Sequence, residues 1–366
     1  MTIDRIYLGT WLPRTHLHLM ELYDFLQDYH VIEGLDTERV KDLHQRLNIG
    51  KIEFQENPGF NVVEFTSSNT IITVTEDGVI VLMKDKVSDV DKDSKEMESL
   101  FVNALGPTLS YLFSRGAPLP QALADVKEVY PKIFIARNIT KDQVQKLMES
   151  IGVKLLSHKS INGLEIFYGK DLEIINITDD KEGLDINELI TSGVFIDSFL
   201  DSLERFLFVH RKMWEDISAI RDANDTRYKD FPKIRIKILE SLKTVSFIQI
   251  RLQQMTDALA VRNTITPKEL RLKLTQLGFE DFRILESSSR YFEKLFEMTA
   301  DFVNSTLVLF ESLVSENTQR EIRLLQQFVV IGAIVGFFGM NIAFPWEDRW
   351  TNTFLSSIVV ICIVIL

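Results

Sequence analysis

Residues 318–341 read TQREIRLLQQFVVIGAIVGFFGMN, and the fold of the chain turns on this stretch and what flanks it. After Arg323 no ionisable side chain appears until Glu347, about 23 residues, enough for a helix to cross a hydrocarbon core of roughly 30 Å. Residues 322–341 are therefore expected to form a transmembrane helix. A second uncharged stretch, residues 351–366, has about 16 residues where a spanning helix needs roughly 20, so the natural chain is expected to continue past Leu366. Arg320 and Arg323 precede the first span, while Glu347 and Asp348 sit in the connection, residues 342–350. That bias puts the connection outside and both flanking regions on the cytosolic side. Trp346 and Trp350 flank the turn, where amphipathic rings favour the membrane interface.

Working back from the span, neither proline nor glycine occurs between Glu280 and Gly332, and Leu285, Phe292, Phe296, Phe302 and Leu309 keep helical spacing. One helix is expected from about residue 280 into the membrane. At 1.5 Å per residue, some 60 residues would make a rod of about 90 Å. A rod of that length needs partners, and copies of the same chain around an axis are the simplest. Ahead of it, residues 195–221 and 234–263 read as two antiparallel helices separated by a polar turn ending at Pro232. Thr266-Pro267-Lys268-Glu269 has the form of a capped helix start, with the short helix beginning at Pro267. Residues 191–321 together form a helical stalk region.

Residues 1–190 have a different texture, short β-rich runs mixed with helical ones, and form an α/β domain. Strand signals lie at residues 51–56, 61–66 and 70–84, at 132–136, and at 164–177 around Gly169. Helical spacing marks residues 97–113 and 141–151. Thr75-Glu76-Asp77-Gly78 separates two alternating apolar runs and predicts a tight hairpin, since Asp-Gly supplies the positive φ such a turn requires. No repeat and no low-complexity tract interrupts the chain.

Composition narrows the function. Of 366 residues 45% are hydrophobic, enough for a sizeable core, and the net charge of −12 argues against a nucleic-acid partner, which needs a basic face. The single cysteine, Cys362, excludes a disulfide framework and a thiolate metal site, and fits a reducing compartment. The first residues lack a basic start followed by an apolar run, so no secretory leader is expected and the N-terminal domain is placed in the cytosol.

The first span closes on Gly339-Met340-Asn341. A Gly-Met-Asn triplet ending the first of two C-terminal spans, behind a large cytosolic domain and a very long helix, resembles the CorA family of magnesium channels. The resemblance covers the whole chain in layout and residues 328–341 position by position. It implies a homopentameric funnel, with Gly339, Met340 and Asn341 as the selectivity filter. It also implies passive magnesium entry through a plasma or inner membrane, with regulatory magnesium bound between cytosolic domains by ligands that no motif here identifies. Two departures stand out. Val330 occupies a position where many relatives have proline, and the basic tail that relatives carry after the second span either lies past Leu366 or is lacking.

Elementary chemistry gives the same triplet a reason. Magnesium sheds water reluctantly, so a pore for it should offer neutral oxygens to a hydrated ion, as the Asn341 amide and the Gly339 carbonyl would in a ring of subunits. A glycine-asparagine helix C-cap at the membrane surface is the plainer alternative. Gly336, Gly332, Val329, Leu325, Ile322 and then Thr318 or Gln319 share a helix face with Gly339 and are the candidate pore lining. Gly332 and Gly336 equally suit close helix packing. Glu347 and Asp348 would concentrate cations at an outer mouth, or simply keep a turn in water.

Other clusters read as structural. Asp89, Asp91, Asp93 and Glu96 fail as a calcium loop, because Ser94 replaces the glycine and Leu100 the bidentate ligand, so a solvated loop is expected. His16 and His18 lie on different helix faces. No nucleophile elbow, phosphate loop or zinc-protease motif supports an enzyme, and no cofactor is expected beyond magnesium as cargo and regulator. The partners expected are other copies of the chain, the lipid bilayer and divalent cations. Two rivals remain: transport of zinc, cobalt or nickel by the same fold, and a membrane-anchored scaffold. Zinc-carrying relatives vary the middle residue of the triplet, so Met340 favours magnesium.

Overall fold

The computed structural model describes residues 3–12, 18–28, 34–57, 59–114, 120–124, 130–161, 163–178, 185–222 and 230–339, with side chains as far as Ala333. The chain is an α/β domain with a mixed sheet, followed by long helices. Its contacts divide it into two compact units, Met1–Ser218 with Glu240–Asp301, and Ala219–Leu239 with Phe302–Leu366.

The first unit is built on nine strands: β1 (Ile3–Trp11), β2 (Ile49–Gln55), β3 (Val62–Ser67), β4 (Thr70–Thr75), β5 (Val79–Asp85), β6 (Lys132–Arg137), β7 (Ser157–Ile161), β8 (Leu164–Tyr168) and β9 (Leu172–Ile177). Their order is β2-β3-β4-β5-β1-β6-β9-β8-β7. Every pairing is antiparallel except β6 with β9. The hairpin expected at Thr75–Gly78 joins β4 to β5, with Gly78 at φ 95° and its N–H donating to Thr75 O at 2.9 Å.

Both faces of the sheet are covered, which is why its central strands read as continuous apolar runs. On one face Ile6, Leu8, Phe65, Phe134 and Ile174 pack with residues of α1 (Leu19–Asp28), α2 (Thr37–Leu47), α3 (Val90–Leu100), α4 (Gly106–Ser114) and α6 (Lys141–Ser150). A short α5 (Gln121–Ala124) precedes β6. The other face receives α7 (Ile186–Asp222). Trp11 of β1 meets Phe195 edge-on at 4.8 Å and stacks on Phe199 at 5.7 Å. Gly9 lets α7 approach this closely, because a Cβ there would collide with Val194.

Three local expectations change. The helical pattern over residues 97–113 is interrupted by a π-helical turn, Phe101–Leu105. Pro107 has no N–H to donate and its ring would strike the Asn103 carbonyl, so the turn widens and the Gly106 N–H reaches back to Phe101 O. Helix α7 begins at Ile186, next to the earlier of the two places, Asn187 and Val194, where the sequence turns helical, and ahead of the helix read over residues 195–221; it is capped by Asp185, which accepts from Asn187 N at 2.9 Å and Glu188 N at 3.3 Å. Its first turns are buried nearly all round, which erases the amphipathic period. The threonine cap expected at Thr266 is not made: its N–H closes the end of α8 (Phe231–Ile265) on Arg262 O, and α9 (Lys268–Leu277) starts after Pro267 without a side-chain cap.

The last element is α10 (Phe282–Gly339), 58 residues without a break, begun by Asp281, which accepts from Arg283 N at 2.8 Å. In the first unit α10 contributes buried Leu285, Ser289, Phe296 and Thr299. In the second unit Phe310 of α10 meets Phe231 of α8 edge-on at 5.2 Å, and Arg221 of α7 lies over Phe302 at 5.5 Å.

Candidate functional site

The candidate site is the C-terminal part of α10. Leading into it, Arg320 sits 3.8 Å from Glu316 one turn back, both exposed. From Gln319 to Ala333 nearly every side chain is exposed on the single chain, and the sequence passes from mixed polar and aliphatic to wholly apolar after Gln327. The expected lining residues Gln319, Ile322, Leu325, Val329 and Gly332 fall on one stripe, with Leu325 63% and Val329 69% exposed. On the other faces Leu324, Phe328, Val330 and Ile331 are exposed too, and from Phe328 on the helix carries apolar residues all round. A helix that is apolar on all sides is ordinarily buried in a large core or in lipid.

Gly336 and Gly339 belong to α10, of which Gly339 is the last residue. Met340 and Asn341 lie outside the described residues, as do Glu347, Asp348, the two flanking tryptophans and the second apolar stretch. Among the described residues no helix is long and apolar enough to cross a membrane, the side chains of the apolar run being described only to Ala333.

Candidate metal ligands elsewhere resolve into structural roles. Asp89 to Asp93 is not the solvated loop expected but the start of α3. Asp89 caps it, accepting from Asp91 N and Lys92 N at 3.1 Å each. Asp93 is buried and accepts from Lys84 Nζ at 2.7 Å, Ser88 N at 2.9 Å and Asp89 N at 3.2 Å. Burial pushes the Asp93 carboxyl up, but Lys84 and the two backbone N–H groups outweigh it and hold the group below the usual carboxylate range. His18 is exposed, and His16 lies outside the described residues. Among the described residues no three His, Cys, Asp or Glu side chains gather as a metal site.

Two buried charge arrangements escaped the sequence reading. Arg262 of α8 and Asp77 of the β4–β5 turn form an ion pair, with Nη2 donating to Oδ1 at 3.0 Å and Nε also bonded to Oδ2. The Phe195 and Phe60 rings flank the guanidinium at 4.9 Å and 5.3 Å. The partners are 185 residues apart, so no local pattern announces them. The second is Glu173, buried in β9, whose Oε2 has no hydrogen-bond partner among the described residues. Its signal was present: a lone carboxyl inside the apolar run Leu172-Glu173-Ile174-Ile175. His210 of α7 also lacks hydrogen-bond partners on both ring nitrogens among the described residues. It lies between Trp214 at 5.8 Å and Phe296 at 5.7 Å, and burial, with Arg211 beside it, lowers its pKa.

No protein-family model matches the chain, and no curated protein matches it in sequence. Among solved structures it is similar to the soluble domain of CorA from Methanocaldococcus jannaschii, at 14% identity and a TM-score of 0.20, over 48% of this chain and 88% of that one.

Proposed function

We propose that the chain is one subunit of a homo-oligomeric channel that admits magnesium passively to the cytosol. The observation that carries this reading is the end of α10: an unbroken 58-residue helix, exposed as far as Ala333, whose apolar sequence closes on Gly339, the first residue of Gly-Met-Asn. A helix so long and so apolar at one end suits the axis of a ring of copies in a bilayer. The ring would set the Asn341 amides and Gly339 carbonyls around a hydrated ion. Gln319, Ile322, Leu325, Val329, Gly332 and Gly336 would line the path below, and Glu347 and Asp348 would gather cations at the outer mouth. An inside-negative potential of about 100 mV supplies about 4.6 kcal/mol to each entering divalent ion, so no chemical fuel is needed. By its resemblance to CorA the oligomer is a pentamer in the plasma or inner membrane, and its cytosolic domains sense magnesium.

The test is magnesium flux into liposomes carrying the purified chain, wild type beside Asn341→Ala, with cobalt, nickel and zinc as competitors. Saturable magnesium entry should fall at least about tenfold in the variant, the value of one charge-assisted hydrogen bond of roughly 1.5 kcal/mol. Zinc or cobalt entry without magnesium entry would keep the channel and change its ion. No flux of any ion from an inserted oligomer would sink the channel in favour of a membrane-anchored scaffold.

A further inference from the structure

Among the side chains that pack α7 against α10, one is out of keeping with its surroundings. His210 lies between Trp214, one turn further along α7, at 5.8 Å and Phe296 of α10 at 5.7 Å and 76°. Phe206, one turn back on α7, meets the same Phe296 ring edge-on at 6.5 Å. His210 as a whole is half-buried, yet both of its ring nitrogens are closed to solvent and neither has a hydrogen-bond partner among the described residues. A neutral imidazole leaves one donor and one acceptor unmade in such a place. An imidazolium would bury two unmade donors and a charge.

We propose that His210 makes the α7–α10 contact acid-sensitive: the contact accommodates the neutral ring, and uptake of a proton loosens α10 from α7. Both helices contribute these residues to the first compact unit, and the effect is expected whether or not the chain conducts ions.

Little near the ring could serve as its counter-ion. On α7 the positions three and four residues away are Phe206, Leu207, Met213 and Trp214, all apolar. The adjacent charge on that helix is Arg211, of the same sign as an imidazolium. On α10 the positions three and four residues from Phe296 are Phe292, Glu293, Thr299 and Ala300. Glu293 is committed to α8, accepting from Thr256 Oγ1 at 2.9 Å, while Lys294 and Glu297 are exposed. On α8, Arg251 donates to Gln254 at 3.2 Å and lies over the Phe247 ring at 5.0 Å, and Lys243 is exposed.

Burial, and then the Arg211 charge, hold the His210 pKa below its ordinary value. The folded value therefore lies below the unfolded one of about 6.5, and the unfolded chain takes up the proton first. Stability from this contact is fully present above about pH 6.5, falls as pH drops below it, and is lost once pH passes the folded value. Glu173, whose carboxyl is raised, acts with the opposite sign, so the difference between wild type and variant is the quantity to read.

The test is a pair of titrations on the purified full-length chain carrying isotope-labelled histidine. The His210 ring signals, assigned by their loss in His210→Phe, should titrate below about pH 6.5. Hydrogen exchange at the α7 and α10 amides beside the ring, corrected for the intrinsic pH dependence of exchange, should report a local opening constant that rises as pH falls below about 6.5, by up to about tenfold per pH unit. His210→Phe keeps an aromatic ring without a proton site and should remove that rise. His210→Gln, neutral at every pH, should remove it too, and replaces the phenylalanine variant if that one does not fold. A His210 pKa at or above about 6.5, as two aromatic faces holding an imidazolium would produce, overturns the proposal. So does an acid-dependent rise in opening that persists in the variants.

Discussion

Two stretches of the same helix behave in opposite ways. Near its start α10 is tied into the first compact unit, where Leu285, Ser289, Phe296 and Thr299 are fully buried and Ser289 bonds Thr256 of α8 at 2.8 Å. Toward its end Leu325, Phe328 and Val329 are each more than 60% exposed, though they are as apolar as anything in the core. The first stretch meets its solvent requirements within one chain. The second has the composition of an interior without an interior around it, and a contiguous apolar surface of this kind marks contact with another protein or with lipid. Propensity cannot explain the contrast, since both stretches are helical. What differs is where each stretch finds its apolar surroundings.

The contrast predicts separable damage, and the largest effect belongs to the self-contained stretch of the molecule. Asp77→Ala leaves the Arg262 guanidinium charged, buried and without its carboxylate, which should cost about 3–5 kcal/mol in urea unfolding of the full chain. Arg262→Met added to Asp77→Ala removes the stranded charge and should recover most of the loss, since Phe60 and Phe195 already provide apolar walls. A double variant no more stable than the single would mean that Asp77 acts through the β4–β5 turn, where it also accepts from Thr75 Oγ1 at 2.6 Å, and not through the ion pair.

A smaller effect is expected from Ile331→Arg in the exposed stretch, on the side of the helix away from the Leu325–Val329 stripe. The substitution should leave the unfolding of the α/β unit unchanged, while a charge near the middle of a spanning helix costs about 3 kcal/mol on insertion, roughly a hundredfold in partition. Flotation with liposomes measures this. Unchanged flotation would place Ile331 away from lipid and in a protein seam, which would sharpen the contrast by assigning its partner.

The same contrast explains what could be read from sequence. The Thr75–Gly78 hairpin and α10 were legible because each depends on neighbours in sequence: an Asp-Gly turn in one, an unbroken helical period in the other. The start of α7 was not, because a helix buried nearly all round loses the period that announces it. The Asp77–Arg262 pair and the burial of Glu173 arise from tertiary neighbours, and only Glu173 left a trace, as a charge inside an apolar strand. The stretch from Gln319 to Gly332 was legible as helix, and its apolar side chains are exposed among the described residues. Met340, Asn341, Glu347 and Asp348 lie outside the described residues, so their roles rest on the motif and on the flux experiment.

The smallest effect concerns Asp89, where sequence suggested a loop and the structure has a helix cap. A cap and a cation site make different demands on the same carboxylate. As a cap, Asp89 satisfies the N–H groups of Asp91 and Lys92 and favours the positive end of α3, so Asp89→Ala should cost about 1 kcal/mol whether or not calcium or magnesium is present. Asp91→Ala should cost less than about 0.5 kcal/mol, because its pair with Lys95 is exposed. A cation site would reverse this pattern: both substitutions would matter only in the presence of the metal, and millimolar calcium would raise the wild-type midpoint. The geometry favours the cap because Asp93, which a metal would also have to recruit, already spends its oxygens on Lys84, Ser88 and Asp89, and releasing them would strand the Lys84 ammonium, itself largely buried, without its innermost partner.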